Sequence, residues 1–363
     1  MSKFIILTFC LLSTVYSFSQ FDMPAAATNP RAMVSEEVGI TSITIKYSRP
    51  DVSGREGKIW GSLITPGFSV NNFVTNKNSS PWRAGANENT TISFEHDVKI
   101  EGHPIKAGTY ALFIAYGADS STLIFNSETE SWGSFYYDPG KDVLKVNVHP
   151  MTLDHSVEFL KYEFIDHKEK SCTIALEWEK LAIPFKVEVD VENIVIARLR
   201  DQVTSRAGFN QLNLVQAAQY CLNKNINLDE ALAWSQRAAG LKSYNTLSNL
   251  ATAYTKLNKM NQADSVMNEA LNYANDNQYQ QYARNLIGAK RADRALTVVQ
   301  GALSKFSNSI PMLQALAYAF SAKGDYPKAM DAVSKAMALA TTDNAKKSLQ
   351  DMMDKLKGGK DIN

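Results

Sequence analysis

Apolar and polar residues alternate along short segments between residues 32 and 190. Residues 42–47, 91–94 and 143–148 follow a period of two, which buries one face of a strand and exposes the other. Further strands are predicted at residues 98–100, 109–116, 122–126, 158–164, 172–179 and 185–189, with a tight turn at 101–104. The pattern predicts an antiparallel β-sandwich or a partly open barrel, and it favours the sandwich.

From about residue 192 the period changes to that of a helix. Alanine pairs seven residues apart recur at four places: Ala231 and Ala238, Ala263 and Ala270, Ala295 and Ala302, and Ala329 and Ala336. This register resembles the tetratricopeptide repeat, in which small residues let the two helices of a hairpin approach closely. The sequence predicts an α-solenoid of four hairpins, at 212–243, 244–275, 276–309 and 310–343, closed by a capping helix at 344–357.

Several motifs of the β region occur in the order found in one known family. They are Tyr47-Ser48-Arg49-Pro50, Gly54-Arg55, the run from Trp82 to Glu88, Ala107-Gly108-Thr109-Tyr110, and Trp132-Gly133 followed by Tyr136 to Asp138. Residues 30–185 therefore resemble a family of exported bacterial proteins known as domain of unknown function 2911. The Asn/Ser-rich loop at 65–81 is longer than in the shorter family members. The resemblance implies no activity.

The N-terminus has the features of a signal peptide. Lys3 precedes an apolar stretch at 4–12, and the small residues Ser17 and Ser19 suit cleavage before Gln20 or Phe21. The stretch is shorter than the roughly 20 residues of a membrane-spanning helix. We expect an exported protein, periplasmic or secreted, with a signal peptide at 1–19, a β domain at 20–192 and helical repeats at 193–363. A lipid anchor on Cys10 and an uncleaved N-terminal strand are the alternatives.

The two halves differ in charge. Residues 21–195 contain 16 Lys and Arg against 24 Asp and Glu, whereas residues 196–363 contain 21 against 13. This imbalance predicts either attraction between the acidic β domain and the basic helical domain, or an acidic partner for the helices. Two solvated surfaces are the simpler alternative. A concentrated basic stripe is absent from the sequence, which disfavours nucleic acid as a partner.

The outward positions of the first helix in each hairpin are rich in amide and hydroxyl groups. Such groups can hydrogen-bond an extended peptide, and tyrosine adds contact area at low entropic cost. The candidate partner-binding residues are Asn213, Gln216, Tyr220, Asn245, Thr252, Gln280, Arg284, Gln314 and Tyr318. We therefore expect a non-catalytic binding and scaffold protein whose repeats recruit a protein or peptide. The alternative is a polar surface that is merely solvated.

The β region offers a second candidate site. An arginine beside a carboxylate can bind an anion or orient a general base, and tryptophan can stack on a sugar. The candidate ligand-binding residues are Arg49, Arg55, Trp82, Arg83, Asn87, Glu88, Trp132 and Tyr137. They support a competing hypothesis, a hydrolase or carbohydrate-active domain. The alternative is a set of ion pairs and hydrogen bonds that holds long loops in place.

Catalytic motifs are missing from the sequence. Nucleophile elbows, phosphate-binding loops and dinucleotide fingerprints do not occur, and the five histidines lack metal-ligand spacing. We therefore predict neither a cofactor nor a metal, and enzymatic activity stays an open alternative. After signal cleavage only Cys172 and Cys221 remain, and we expect two buried free thiols.

Overall fold

The computed structural model describes residues 29–70 and 79–363. The chain divides after residue 198 into a β unit and a helical unit, and each is described by itself. The predicted signal peptide and its cleavage site lie outside the described residues, as do residues 71–78 of the Asn/Ser-rich loop.

The β unit is built from antiparallel strands. They are β1 (Arg31–Val38), β2 (Thr41–Ser48), β3 (Ser69–Val70), β4 (Ser79–Ser80), β5 (Thr91–Phe94), β6 (Val98–Ile100), β7 (His103–Ile105), β8 (Gly108–Ala115), β9 (Ser121–Asn126), β10 (Asp142–Val148), β11 (Met151–Lys168) and β12 (Ser171–Val189). Six of them form one sheet in the order β1-β2-β5-β8-β9-β10, and four form a second sheet in the order β11-β12-β6-β7. Strands β3 and β4 form a separate short ribbon.

One hydrophobic core lies between the two larger sheets. Ile43 and Ile92 from the first sheet are fully buried in the same cluster as Ile174 and Val187 from the second. Burying each such side chain contributes roughly 1.5–3 kcal/mol to folding. Two sheets that share one core and keep free edges form a sandwich, which confirms the predicted fold class. Among the described residues, the two larger sheets stay separate and do not form the partly open barrel that was the alternative.

The last two strands differ from the expected pattern. Strand β11 has 18 residues, and β12 is one strand of 19 residues where two were predicted. Their pairing shifts register between Thr152 and Val157 and again before Lys161. Glu179 has a φ of +52°, which bends β12 within the strand. The break expected after Glu179 is therefore an irregularity inside one strand and not a turn.

The helical unit consists of hairpins. The α-helices are α1 (Val191–Thr204), α2 (Gln211–Lys224), α3 (Leu228–Ala238), α4 (Tyr244–Lys256), α5 (Met260–Leu271), α6 (Asp276–Gly288), α7 (Ala292–Ala302), α8 (Ile310–Ala322), α9 (Tyr326–Leu339) and α10 (Asp343–Lys357). Helices α2–α3, α4–α5, α6–α7 and α8–α9 pack as antiparallel pairs, and α10 packs on α9. Within residues 29–70 and 79–363, every helix falls short of the length and hydropathy that crossing a membrane requires.

The repeated alanines lie where the two helices of a hairpin meet. All eight are buried: Ala231, Ala238, Ala263, Ala270, Ala295, Ala302, Ala329 and Ala336. Alanine at these positions lets the backbones approach, while larger residues such as Met267 and Val299 fill the space between neighbours. The fold is therefore a tetratricopeptide-like array of helical hairpins, as the alanine register predicted.

Candidate functional site

The first helices α6 and α8 lie side by side and share a polar surface. The side-chain amide of Gln280 donates to Oε1 of Gln314 at 2.9 Å. One turn further along both helices, the guanidinium carbon of Arg284 lies 4.9 Å from the ring centre of Tyr318. These four predicted residues therefore form one continuous patch, which we call the α6–α8 patch.

The helical repeat itself explains this alignment. Gln280 and Arg284 are four residues apart on α6, so they lie on one face of that helix. Gln314 and Tyr318 occupy the matching positions of α8, 34 residues later. Equivalent residues of successive hairpins therefore stand opposite one another. A ligand that lay across the first helices would meet amide, guanidinium and phenol groups in a row.

A cleft separates the second hairpin from the third, and we call it the inter-hairpin cleft. Helices α4 and α6 approach each other less closely than do α2 and α4, or α6 and α8. The resulting cavity has a volume of about 350 Å³. Its lining combines apolar and polar side chains, including Tyr244, Thr252, Met260, Met267, Tyr282, Asn285 and Leu286. Burial raises the pKa of Tyr244 and of Tyr282, so both phenols stay protonated and can donate hydrogen bonds.

A bidentate ion pair joins the two hairpins at this cleft. Arg291 donates from Nη1 to Oδ1 of Asp264 at 3.0 Å and from Nη2 to Oδ2 at 2.5 Å. These hydrogen bonds and the guanidinium charge hold the pKa of Asp264 below its usual value. Both residues line the cleft. The ion pair therefore fixes how far apart the hairpins stand while leaving the cavity open.

The remaining candidate partner-binding residues do not form a cluster of this kind. Asn213, Gln216 and Asn245 are exposed, and Tyr220 is half-buried. Asn213 donates from its amide to the carbonyl of Ala207, and Thr252 donates to Ser248. Of these residues, Thr252 lines the inter-hairpin cleft. The structure thus gathers five of the nine predicted residues around α6, and the others lie along α2 and the start of α4.

In the β unit, four of the eight candidate ligand-binding residues hold the fold together. Arg49 donates from Nε to the carbonyl of Leu160 at 2.8 Å, and Arg55 donates to the carbonyl of Val52 at 2.9 Å. The Trp82 ring stacks on Trp178, with ring centres 6.1 Å apart.

Tyr137, the fourth, is buried and donates from its hydroxyl to Asp142 at 2.6 Å. Burial, followed by the hydrogen bond to Asp142, raises its pKa. These four side chains are engaged at separate places and do not converge on one cavity.

The other four candidates occur together. Arg83 donates from Nη1 to the carbonyl of Asn87 at 2.5 Å, and its guanidinium lies 5.0 Å from the ring centre of Phe135. Burial lowers the pKa of the Arg83 guanidinium. Glu88 follows Asn87, and Trp132 precedes the glycine that packs against Arg83. Arg83 thus ties the loop that contains Glu88 to the loop that contains Trp132.

Glu88 and Trp132 line a cavity of about 630 Å³, which we call the outer-sheet groove. It lies beside β1, β2 and β5 and is bordered by residues 129–132. The lining also includes Arg31, Met33, Lys46, Asn89, Thr91 and Glu130, none of which was among the predicted ligand-binding residues. Met33 pairs with Lys46 and Lys46 pairs with Thr91, so three of them form one row across the sheet. The period-two alternation of β2 and β5 could have placed Lys46 and Thr91 on the outward face of the sheet. Strand β1 was not predicted as a separate strand, so the sequence offered no such signal for Arg31 and Met33.

Two further features bear on chemistry. Cys172 and Cys221 are buried free thiols, and burial raises their pKa to about 12 and about 11. Thiols with such pKa values are poor nucleophiles at neutral pH. The part of the chain that the structure describes contains no group of three or more His, Cys, Asp and Glu side chains able to hold a metal ion.

The fold and these surfaces define a class of protein, a helical-repeat protein that also contains a β-sandwich unit. Residues 29–187 match the model of a family described as a protein of unknown function, DUF2911, which confirms the resemblance predicted for 30–185. The matched residues lie within the β unit. A comparison with curated proteins gave no match.

Solved structures of tetratricopeptide repeat proteins are similar to part of the chain. YrrB, described as having an unusual peptide-binding site, is 13% identical, with 44% of this chain and 91% of YrrB covered and a TM-score of 0.28. MamA is 15% identical, with 40% and 80% covered and a TM-score of 0.30. A tetratricopeptide repeat protein from Parabacteroides merdae is 19% identical, with 47% and 68% covered and a TM-score of 0.32.

Proposed function

We propose that this protein is an exported scaffold whose helical unit binds an extended protein segment across α4, α6 and α8. The observation that carries the proposal is the α6–α8 patch beside the inter-hairpin cleft. The paired polar side chains lie on α6 and α8, and the cavity is lined by residues of α4, α5 and α6, so the two surfaces share α6. Export is supported by the signal-peptide pattern of residues 1–19.

The two surfaces suit different parts of one segment. Gln280 and Gln314 each keep amide groups that can pair with the N–H and C=O groups of a peptide backbone. Tyr318 and Arg284 offer a flat, partly apolar surface to a side chain. The cleft, lined by Met260, Met267 and Leu286, accepts an apolar anchor. A segment with one apolar residue followed by polar residues satisfies both surfaces.

Cross-linked affinity purification of the full chain from its native envelope fraction tests this proposal. The test variant combines Gln280→Ala, Arg284→Ala and Gln314→Ala. The matched control combines Gln262→Ala, Gln300→Ala and Lys335→Ala, which likewise remove two amides and one positive charge, from exposed positions of the second helices. We expect the control to retain the partner and the test variant to lose it by at least about tenfold. Equal recovery from both variants would refute the binding surface.

The same preparation tests export. Mass spectrometry of the chain recovered from the envelope fraction measures its N-terminus. The proposal expects a chain that begins at Gln20 or Phe21. A chain that retains Met1 and stays with the cytoplasmic fraction would contradict export.

A further inference from the structure

The outer-sheet groove forms where a covering segment on the six-stranded sheet ends. On β8 and β9 the outward side chains Ala111, Phe113 and Ile124 are buried in a small cluster with Tyr137. The same outward row continues through Thr91, Lys46 and Met33, where no such cluster covers the sheet in the described part of the chain. The residues between β9 and β10 therefore cover one half of this face and border an open groove on the other half.

Trp132 stands at the border of this groove and is held there from both sides. It is 52% exposed, although tryptophan is one of the most costly side chains to leave in water. The side-chain amide of Asn89 donates to Glu128, Thr129 and Ser131, which fixes the chain just before Trp132. Just after it, Gly133 has a φ of +58° and packs against Arg83. The fold thus presents the indole ring to solvent and does not bury it.

The polar lining has no net charge. Arg31 and Lys46 are balanced by Glu88 and Glu130, and Arg31 Nε lies 2.7 Å from Oε1 of Glu88. Asn89 is only 5% exposed, and its Oδ1 has no hydrogen-bond partner among the described residues. A buried acceptor without a partner costs about 1–3 kcal/mol. The groove therefore offers donors, acceptors and one aromatic surface, with no excess of either charge.

We propose that the outer-sheet groove binds a neutral oligosaccharide. The apolar face of a sugar ring would stack on the indole of Trp132, and its hydroxyl groups would hydrogen-bond Glu88 and Arg31. Hydroxyl groups both donate and accept, so they suit a lining that mixes carboxylate, guanidinium and amide groups. A charged ligand would leave half of that lining unsatisfied. The volume of about 630 Å³ is that of an ordinary small-ligand site.

Isothermal titration calorimetry of the full chain with a panel of oligosaccharides tests the proposal. The neutral probes are maltohexaose, cellohexaose, laminarihexaose and hexa-N-acetylchitohexaose, and the acidic probe is a chondroitin hexasaccharide. We expect at least one neutral probe to bind and Trp132→Ala to raise its Kd at least about tenfold. Trp132→Phe should recover part of the affinity because it keeps an aromatic ring. Tyr136→Ala is the matched control, since Tyr136 is 62% exposed, lies four residues after Trp132 and does not line the groove.

Three results would overturn the proposal. They are a lack of binding by all four neutral probes, binding by the acidic probe alone, and equal Kd values for Trp132→Ala and Tyr136→Ala. Glu88→Gln serves as a second variant if Trp132→Ala fails to fold, and we expect it to weaken binding severalfold. The site lies in the β unit, so the outcome is independent of partner binding by the helical unit.

Discussion

At the scale of single residues, arginine side chains organise the loops of the β unit. Arg49, Arg55 and Arg83 each donate to a backbone carbonyl, at 2.8, 2.9 and 2.5 Å. A guanidinium group has five donors in a fixed plane, so it can hold a loop and still stack on a ring. Arg83 does both, because it also lies over Phe135. Of the three, Arg83 positions the loops that border the outer-sheet groove.

This role makes Gly133 a sensitive position. A Cβ added to Gly133 would lie 2.6 Å from Nη1 of Arg83, and the φ of +58° already disfavours a side chain. We expect Gly133→Ala to lower the free energy of unfolding by about 2–3 kcal/mol, because it adds a clash to backbone strain. Urea denaturation followed by tryptophan fluorescence measures the change.

Gly54→Ala is the control for that measurement. Gly54 has a φ of +70° and open space around it, so this substitution adds strain without a clash. We expect it to cost about 1 kcal/mol. Equal losses for the two variants would show that Arg83 does not constrain the chain at Gly133.

The sequence located these loop residues but not their partners. Arg49 contacts Leu160, which lies 111 positions later in the sequence, and only the packing of the two sheets brings them together. The sequence singled out Arg83, Asn87, Glu88 and Trp132. Which of them hold the loops and which line the groove depends on contacts between residues far apart in the sequence. The role of Asn89 was missed for the same reason, since its amide contacts residues 39 to 42 positions later.

At the scale of elements, the helical unit follows its sequence closely. Each first helix begins after a capping residue, Asn210, Ser243, Asn275 or Ser309, whose side chain accepts from the helix backbone. These caps recur with nearly the same spacing as the alanine pairs. Local signals and packing signals therefore agree, which is why the hairpins were predictable. The long strands β11 and β12 were not, because bulges interrupt their period of two.

The ion pair between Asp264 and Arg291 should make the junction between the second and third hairpins sensitive to pH. The pKa of Asp264 is lower in the folded protein than its unfolded value of about 3.9. The stability that this carboxylate contributes is therefore fully present above the unfolded pKa, and it is lost as the pH falls through the folded pKa. We expect Asp264→Asn to cost about 0.5–1 kcal/mol at pH 7, since both side chains are about one-third exposed. Thermal unfolding monitored by circular dichroism measures this cost.

At low pH the difference between the wild-type protein and Asp264→Asn should shrink towards zero. Asp331→Asn is the control, because its ion pair with Lys335 is well exposed and lies within one helix. We expect no measurable change for it at either pH. A cost for Asp264→Asn that stayed constant from pH 7 to pH 3 would mean that the charge of Asp264 does not join the hairpins.

At the scale of the whole molecule, the sequence predicted the fold class of both units. Period-two alternation predicted the sandwich, and the alanine register predicted the repeat array. The opposite charges of the two halves, and the attraction that they suggest, stay a prediction. The function of each unit was less accessible, because a binding surface depends on which side chains are left over after packing. In the helical unit the side chains that we propose for partner binding are Gln280, Arg284, Gln314 and Tyr318.

Site-specific photo-cross-linking of the full chain in its native cells tests the central claim most directly. A photoreactive amino acid would replace Arg284 in the α6–α8 patch, and in a parallel experiment it would replace Gln300, an exposed residue of α7. We expect a cross-linked product of one defined mass from position 284 and none from position 300. No product from position 284, or the same product from both positions, would contradict it.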